Sequence, residues 1–231
     1  MQAGIEALTC PEALHGLVLV RDSIFAEAGH RVVSTVLQRL LLKDDHGVLV
    51  VTSRHSTSHY SMLLRRLNLN VSKIGAAGRF IVLNTNSLCK LDISADRYLF
   101  DISTLMDAVV SDVKRLKGAS GEDPRGSPRR RCVVLFDDVV ALLNTCRDHP
   151  LTLCRAISGL SSAAICRIVV LHEDVDDLDE VTSTLSSEAA TVVRLSPLTS
   201  GSSTEYEAQC SVVRRKFLTG GNALKVERAQ S

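Results

Sequence analysis

Six short apolar runs, each separated from the next by helical periodicity, constrain this chain more than any other feature. They are Gly16–Val20, Gly47–Val51, Arg79–Leu83, Arg131–Phe136, Cys166–Leu171 and Ala190–Leu195. Runs such as Gly47-Val-Leu-Val-Val51 show no polar alternation, which is the pattern of a strand covered on both faces. Between the runs, Ala28–Lys43 places Val32, Val33, Val36, Leu37, Leu40 and Leu41 on one helical face. Ser58–Leu67, Ser103–Leu116, Asp138–Asn144, Pro150–Leu160 and the acidic Val175–Ser187 read as further helices. Ser58 (with Thr57 as second choice) and Ser103 are the expected N-caps. Alternating strands and helices predict an α/β fold, with a mostly parallel central sheet flanked by helices. Glu207–Phe217 and Ala223–Glu227, turning at Thr219-Gly-Gly-Asn222, add an expected C-terminal antiparallel hairpin.

The chain has 231 residues and reads as one domain over 1–231, with 1–15 as an N-terminal extension. Residues 117–130 are rich in Gly, Pro, Ser and charge, and are expected to form a flexible basic loop. With 45% hydrophobic and 23% charged residues, the composition excludes a disordered or collagen-like chain. No apolar run approaches the roughly 18 residues that cross a bilayer, and the N-terminus lacks the pattern of a secretory signal, so no membrane partner is expected. Aromatic residues are scarce, 3% with no Trp, which disfavours single-strand binding by base stacking. Seven Cys without any Cys-x-x-Cys argue against a disulfide framework or a zinc site, and point to cytoplasm or nucleus. Net charge is +1, yet Ser111–Arg131 holds seven basic residues against three acids, and Glu173–Glu180 holds six acids. Such runs are solvated faces or complementary contacts to other chains.

Ligands in parallel α/β sheets bind outside the carboxyl ends of the strands, so chemistry is sought there. After the first strand, a phosphate-binding loop needs two glycines, a Lys and a hydroxyl residue. Only Gly29 is present, followed by His30 and Arg31. After the fourth strand, Asp137 and Asp138 have the form of a magnesium-positioning acid, but an acid before Val139-Val-Ala-Leu-Leu143 also fits a helix cap, and that reading is preferred. His55 and His59 lack a third metal ligand. His172-Glu173-Asp174 has no placed nucleophile and reads as a solvated strand end. No catalytic residue, cofactor or metal is therefore expected. Arg214, Arg215 and Lys216 form a short basic cluster suited to phosphate backbones.

Taken together, the emptied phosphate-loop position, Thr57-Ser-His-Tyr-Ser61 followed by Leu63-Leu-Arg-Arg-Leu67, Val133-Val-Leu-Phe-Asp-Asp138 and Arg167-Ile-Val-Val-Leu-His172 resemble the Elongator complex protein 6 family. The resemblance spans about Leu17–Lys216. Asn68 departs from it, standing where the family often has Gly. The resemblance implies a RecA-like fold without ATPase motifs and a hetero-hexameric ring with Elongator proteins 4 and 5. It implies docking on the larger Elongator subunits and tRNA binding in support of wobble-uridine modification at carbon 5. On that reading Arg54, Arg65, Arg66, Arg214, Arg215 and Lys216 are candidate RNA contacts. Ser58, His59 and Tyr60 form a candidate interface, with His59 and Tyr60 packing against a neighbouring chain or the third strand, and Gly29, His30, Arg31, Asp137 and Asp138 mark a vestigial nucleotide site. Two alternatives stand beside it. One is an active nucleotide hydrolase, with Asp137 on magnesium and His30 or Arg31 on phosphate. The other is a RecA-paralogue recombination mediator.

Overall fold

In the computed structural model the described residues are 16–23, 29–43, 45–118, 131–160, 166–172, 178–196, 209–217 and 224–230. Ten strands are described: β1 (Gly16–Asp22), β2 (His46–Thr52), β3 (Phe80–Asn84), β4 (Lys90–Asp92), β5 (Arg97–Leu99), β6 (Arg131–Phe136), β7 (Cys166–His172), β8 (Thr191–Ser196), β9 (Gln209–Phe217) and β10 (Leu224–Gln230). The helices are α1 (Gly29–Leu42), α2 (Thr57–Arg66), α3 (Val71–Ala76), α4 (Ile102–Gly118), α5 (Val139–Thr145), α6 (Pro150–Gly159) and α7 (Asp179–Glu188). Eight strands form one sheet in the order β10-β9-β8-β1-β7-β6-β2-β3. The six from β8 to β3 are mutually parallel, and β9 and β10 join antiparallel at one edge.

The expected α/β architecture is therefore present, hairpin strands included. The Thr219–Asn222 turn, the 1–15 extension, and residues 119–130 of the expected loop lie outside the described residues. Lys117 and Gly118, expected in that loop, continue helix α4 instead. The apolar strand runs make two cores, because successive side chains point to opposite faces. Val18, Val20, Val48, Val50, Val133, Leu135, Ile168 and Val170 pack under α1, α2 and α3. Leu17, Leu19, Leu49, Val51, Val134, Phe136, Val169 and Leu171 pack under α4 to α7.

Helix ends differ from the expected caps in two places. The N-cap of α2 is Ser56, whose hydroxyl accepts from the His59 amide at 3.2 Å, rather than Ser58 or Thr57. Ser103 lies inside α4, and the first amide of that helix, Ile102, donates to Asp148 Oδ2 at 2.8 Å from across the fold. A remote carboxylate thus does what a local hydroxyl was expected to do. Asn68 closes α2 with φ 57°, its amide bonded to the Arg65 carbonyl and the Leu69 amide to that of Leu64. This left-handed residue favours Gly and tolerates Asn, which accounts for the departure at this position.

The sequence pattern predicted neither α3 nor the β4–β5 ribbon. The ribbon follows β3 and pairs Leu91 with Tyr98. Its inner side is anchored by the buried Leu99 and by an Asp92–Arg147 ion pair at 3.1 Å. Leu91, Ile93 and Tyr98 remain exposed at 54%, 89% and 65%.

Candidate functional site

The strand β1 sends its helix to one face of the sheet, while β6 and β7 send theirs to the other. The crevice outside the carboxyl ends of β1, β7 and β6 is thus the switch point at which this class of sheet binds ligands. Asp22 ends β1, and ladder pairing sets it directly opposite His172 at the end of β7. Asp137 and Asp138 follow β6, and Thr52 ends the neighbouring β2.

Several polar groups in this crevice pair with one another, while Asp137 Oδ1 is buried without a hydrogen-bond partner. Asp22 Oδ2 accepts from the Gly29 amide at 2.8 Å, so the first residue of α1 is held by the end of β1. His172 Nδ1 lies 3.7 Å from the same oxygen, and its Nε2 lies 3.9 Å from Asp138 Oδ2. Asp138 also N-caps α5 through the Ala141 amide at 3.0 Å and faces Arg54 Nη1 at 3.5 Å. The Tyr60 hydroxyl, 1% exposed as a residue, donates to Asp137. Burial pushes the Asp137 carboxyl above its ordinary range. The Tyr60 and Thr52 hydroxyls work against that shift, and the Asp138 charge adds to it. Burial and the adjacent Asp137 charge likewise push the Tyr60 phenol upward.

This geometry sorts the expected site residues. Gly29, Asp137 and Asp138 do converge on one crevice. Arg31 is exposed one turn into α1, and the His30 side chain lies outside the described residues. Asp138 serves the preferred capping role. Asp137 accepts from Tyr60 through Oδ2 in the interior, and among the described residues no cluster of three His, Cys, Asp or Glu could hold a metal. Of the two places open to Tyr60, a neighbouring chain or the third strand, the structure gives the second, so it leaves the candidate interface: its ring lies in the core near Phe80 of β3, because α2 starts at Thr57 and turns that side chain inward. Ser58 is exposed, and His59 is half-buried and stacked on His55 at 4.2 Å.

The candidate RNA contacts do not form one patch. Arg54 stands at the carboxyl end of the sheet, paired with Asp138. Arg65 and Arg66 are exposed at the far end of α2. Arg214 pairs in register with Thr191, at the start of β8 and near the opposite edge of the sheet. The side chains of Arg215 and Lys216 lie outside the described residues.

Sequence reasoning missed Asp22. An acid after an apolar strand is common, and only contact with Gly29 singles it out. It also missed the clamp on the β2–α2 loop, where Asn84 and Asn86 side-chain amides donate to the carbonyls of His55 and Ser53 at 3.0 and 3.2 Å. A polar Asn-Thr-Asn sequence after β3 was the available signal.

Comparison with known proteins places this crevice in context. Residues 6–227 match the family described as Elongator subunit Iki1. The chain belongs to that family. No individual curated protein matches it in sequence. Among solved structures, an uncharacterized Pyrococcus horikoshii protein in complex with an unknown peptide is similar over 97% of both chains, at TM-score 0.63 and 16% identity. The flagellar accessory protein FlaH of Methanocaldococcus jannaschii matches 85% of this chain and 76% of its own, at TM-score 0.55 and 12% identity. A KaiC-like protein of Pyrococcus horikoshii matches 92% of this chain and 84% of its own, at TM-score 0.54 and 11% identity. The Iki1-family chain thus has the RecA-like fold.

Proposed function

We propose that this Iki1-family chain is a non-catalytic, RecA-like subunit of the Elongator complex. It assembles with two other RecA-like subunits into a hetero-hexameric ring that binds tRNA and supports modification of wobble uridine at carbon 5. The match over residues 6–227 carries the reading. The crevice supports the non-catalytic part, since Asp22, His172, Asp138 and Arg54 are engaged with one another there.

Two observations bear on the position in the ring. The Ser58-His-Tyr-Ser61 segment points to protein 6, with proteins 4 and 5 as partners. The match to Iki1, protein 5 in yeast naming, points to that position, with proteins 4 and 6 as partners. We favour the second, because the match runs the length of the chain while the segment is four residues long. As a subunit of this kind the chain works in the cytoplasm or nucleus. It is proposed as a single RecA-like domain with an N-terminal extension and the basic stretch 117–130.

Purification of the tagged chain from its own cells, with mass spectrometry of its companions, tests the reading. Two further RecA-like subunits in equal copy number are expected, and the identity of the absent third type fixes the ring position. Recovery as a lone chain, or turnover of Mg-ATP by the purified chain, would refute it. Within the ring, Arg65 and Arg66 are the first candidates for RNA contact, being exposed and adjacent. Their double substitution by Ala should weaken tRNA binding and lower the salt slope by about 1 for each phosphate no longer neutralised. An unchanged affinity would remove them.

A further inference from the structure

The N-terminus of a helix that follows the first strand of such a sheet is an anion site, because its leading amides lack partners and its dipole is positive there. Helix α1 is 14 residues long. The amide of its first residue already has an acceptor, and that acceptor comes from the preceding strand: Asp22 Oδ2, 2.8 Å from the Gly29 nitrogen. Asp22 is 1% exposed, so its carboxylate sits in the interior and not on the rim. Gly29 is what lets it approach. A Cβ at that position would stand 2.6 Å from Asp22 Oδ2, nearer than real Cβ atoms come, and a tight 3.1 Å from Cγ. Across the crevice His172 lies 3.7 Å from the same oxygen.

We infer that Asp22 is a resident anion, whose carboxylate holds the place at the α1 N-terminus that a ligand phosphate would take and so closes the crevice to nucleotides. The closure has two parts. The donor that would receive a phosphate oxygen is in use, and the oxygen using it cannot be displaced without being buried unpaired or expelled. Among the described residues the crevice also holds three carboxyl groups, Asp22, Asp137 and Asp138, against the guanidinium of Arg54, so a polyphosphate adds negative charge beside acids already there. The Asp22–Gly29 bond acts as a permanent autoinhibitory plug, and it does so from described residues rather than from the missing lysine of the loop. The inference deepens the non-catalytic reading. It rests on the RecA-like fold and not on the identity of the partners.

Thermal unfolding of the full-length chain in inorganic phosphate or pyrophosphate, against sodium chloride of equal ionic strength, tests it. The wild-type midpoint is expected to be the same in both. Asp22→Ala vacates the site, so its midpoint should start lower and rise by about 3–5 °C in phosphate at roughly ten times the dissociation constant. Asp22→Ser, smaller but still polar, should behave alike. Asp22→Asn keeps the shape and the acceptor, and should stay indifferent to phosphate. If Asp22→Ala is unfolded in chloride, recovery of its circular dichroism in phosphate is the expected result. A wild-type midpoint that rises as much as the variants', or Ala and Ser variants that both ignore phosphate, overturns the inference. Partner capture is not read in this experiment, so failure of the Elongator assignment would leave its result standing.

Discussion

The two ends of the parallel sheet bury opposite charges. At the amino ends stand Arg79 and Arg167, 5% and 7% exposed. Arg79 donates to the carbonyls of Leu41 at 3.0 Å, His46 at 3.2 Å, and Lys43. Arg167 donates to the carbonyl of Ser158. Leu41 and Ser158 belong to the last turns of α1 and α6, so each guanidinium meets the negative end of a helix. At the carboxyl ends the buried acids include Asp22 and Asp138, each bonded to the first turn of a helix, α1 and α5, beside Asp137, which is bonded to Tyr60. One electrostatic rule accounts for both ends, and α1 is held by it top and bottom. The difference lies in what each end could otherwise do. The amino end of such a sheet is structural in any case. The carboxyl end is where ligands bind in such sheets, and here Asp22 and Asp138 both hold helix N-termini.

The comparison breaks first at Arg79. Arg79→Ala leaves several buried carbonyls without a donor and should cost about 3–5 kcal/mol, lowering the melting temperature by roughly 10 °C. A loss below about 1 kcal/mol in urea unfolding would mean the amino end is not held this way. At the other end, Tyr60→Phe should cost about 1–2 kcal/mol, with a pH signature. Because burial raises the Asp137 carboxyl, the stability it contributes is complete below the unfolded value near 3.8 and is lost as pH rises through the raised one. The Tyr60 hydroxyl works against that rise. Its removal should therefore make the variant lose more stability than wild type as pH rises above about 4. Parallel urea midpoints across that range would show that the hydroxyl does not act on Asp137.

Capping contributes on a smaller scale. Asp138→Ala should cost about 1–2 kcal/mol and Ser56→Ala about 1 kcal/mol, while Ser58→Ala should stay within about 0.5 kcal/mol. Equal losses at Ser56 and Ser58 would restore the cap expected from sequence. Smallest of all is Arg54→Ala. Its side chain is 61% exposed and its partner is 3.5 Å away, so the loss should be at most about 0.5 kcal/mol and should fade with salt.

The sheet was legible because its strands announce themselves: Gly47–Val51 and Val133–Phe136 admit no reading but a covered strand. The helices α1 and α4 were legible from apolar period, and Asp138 from its position before one. What escaped depended on contacts distant in sequence. Asp148 caps α4 from 46 residues away, and the Tyr60–Asp137 pair spans 77. Helix α3 and strands β4 and β5 are three to six residues long, too short to show a period. At the crevice, the acids after β6 stood out as a familiar motif. Asp22 carried no motif, and only the fold brings it onto Gly29.

The small ribbon after β3 has a practical side. Its outward face is an oily strip of Leu91, Tyr98 and Ile93 on a mount fastened by Arg147. A stiff, greasy edge of this kind makes a purified protein stick to its own copies as concentration rises. Light scattering on a Leu91→Ser, Tyr98→Ser double variant should show a clear, monodisperse solution at concentrations where the parent turns cloudy.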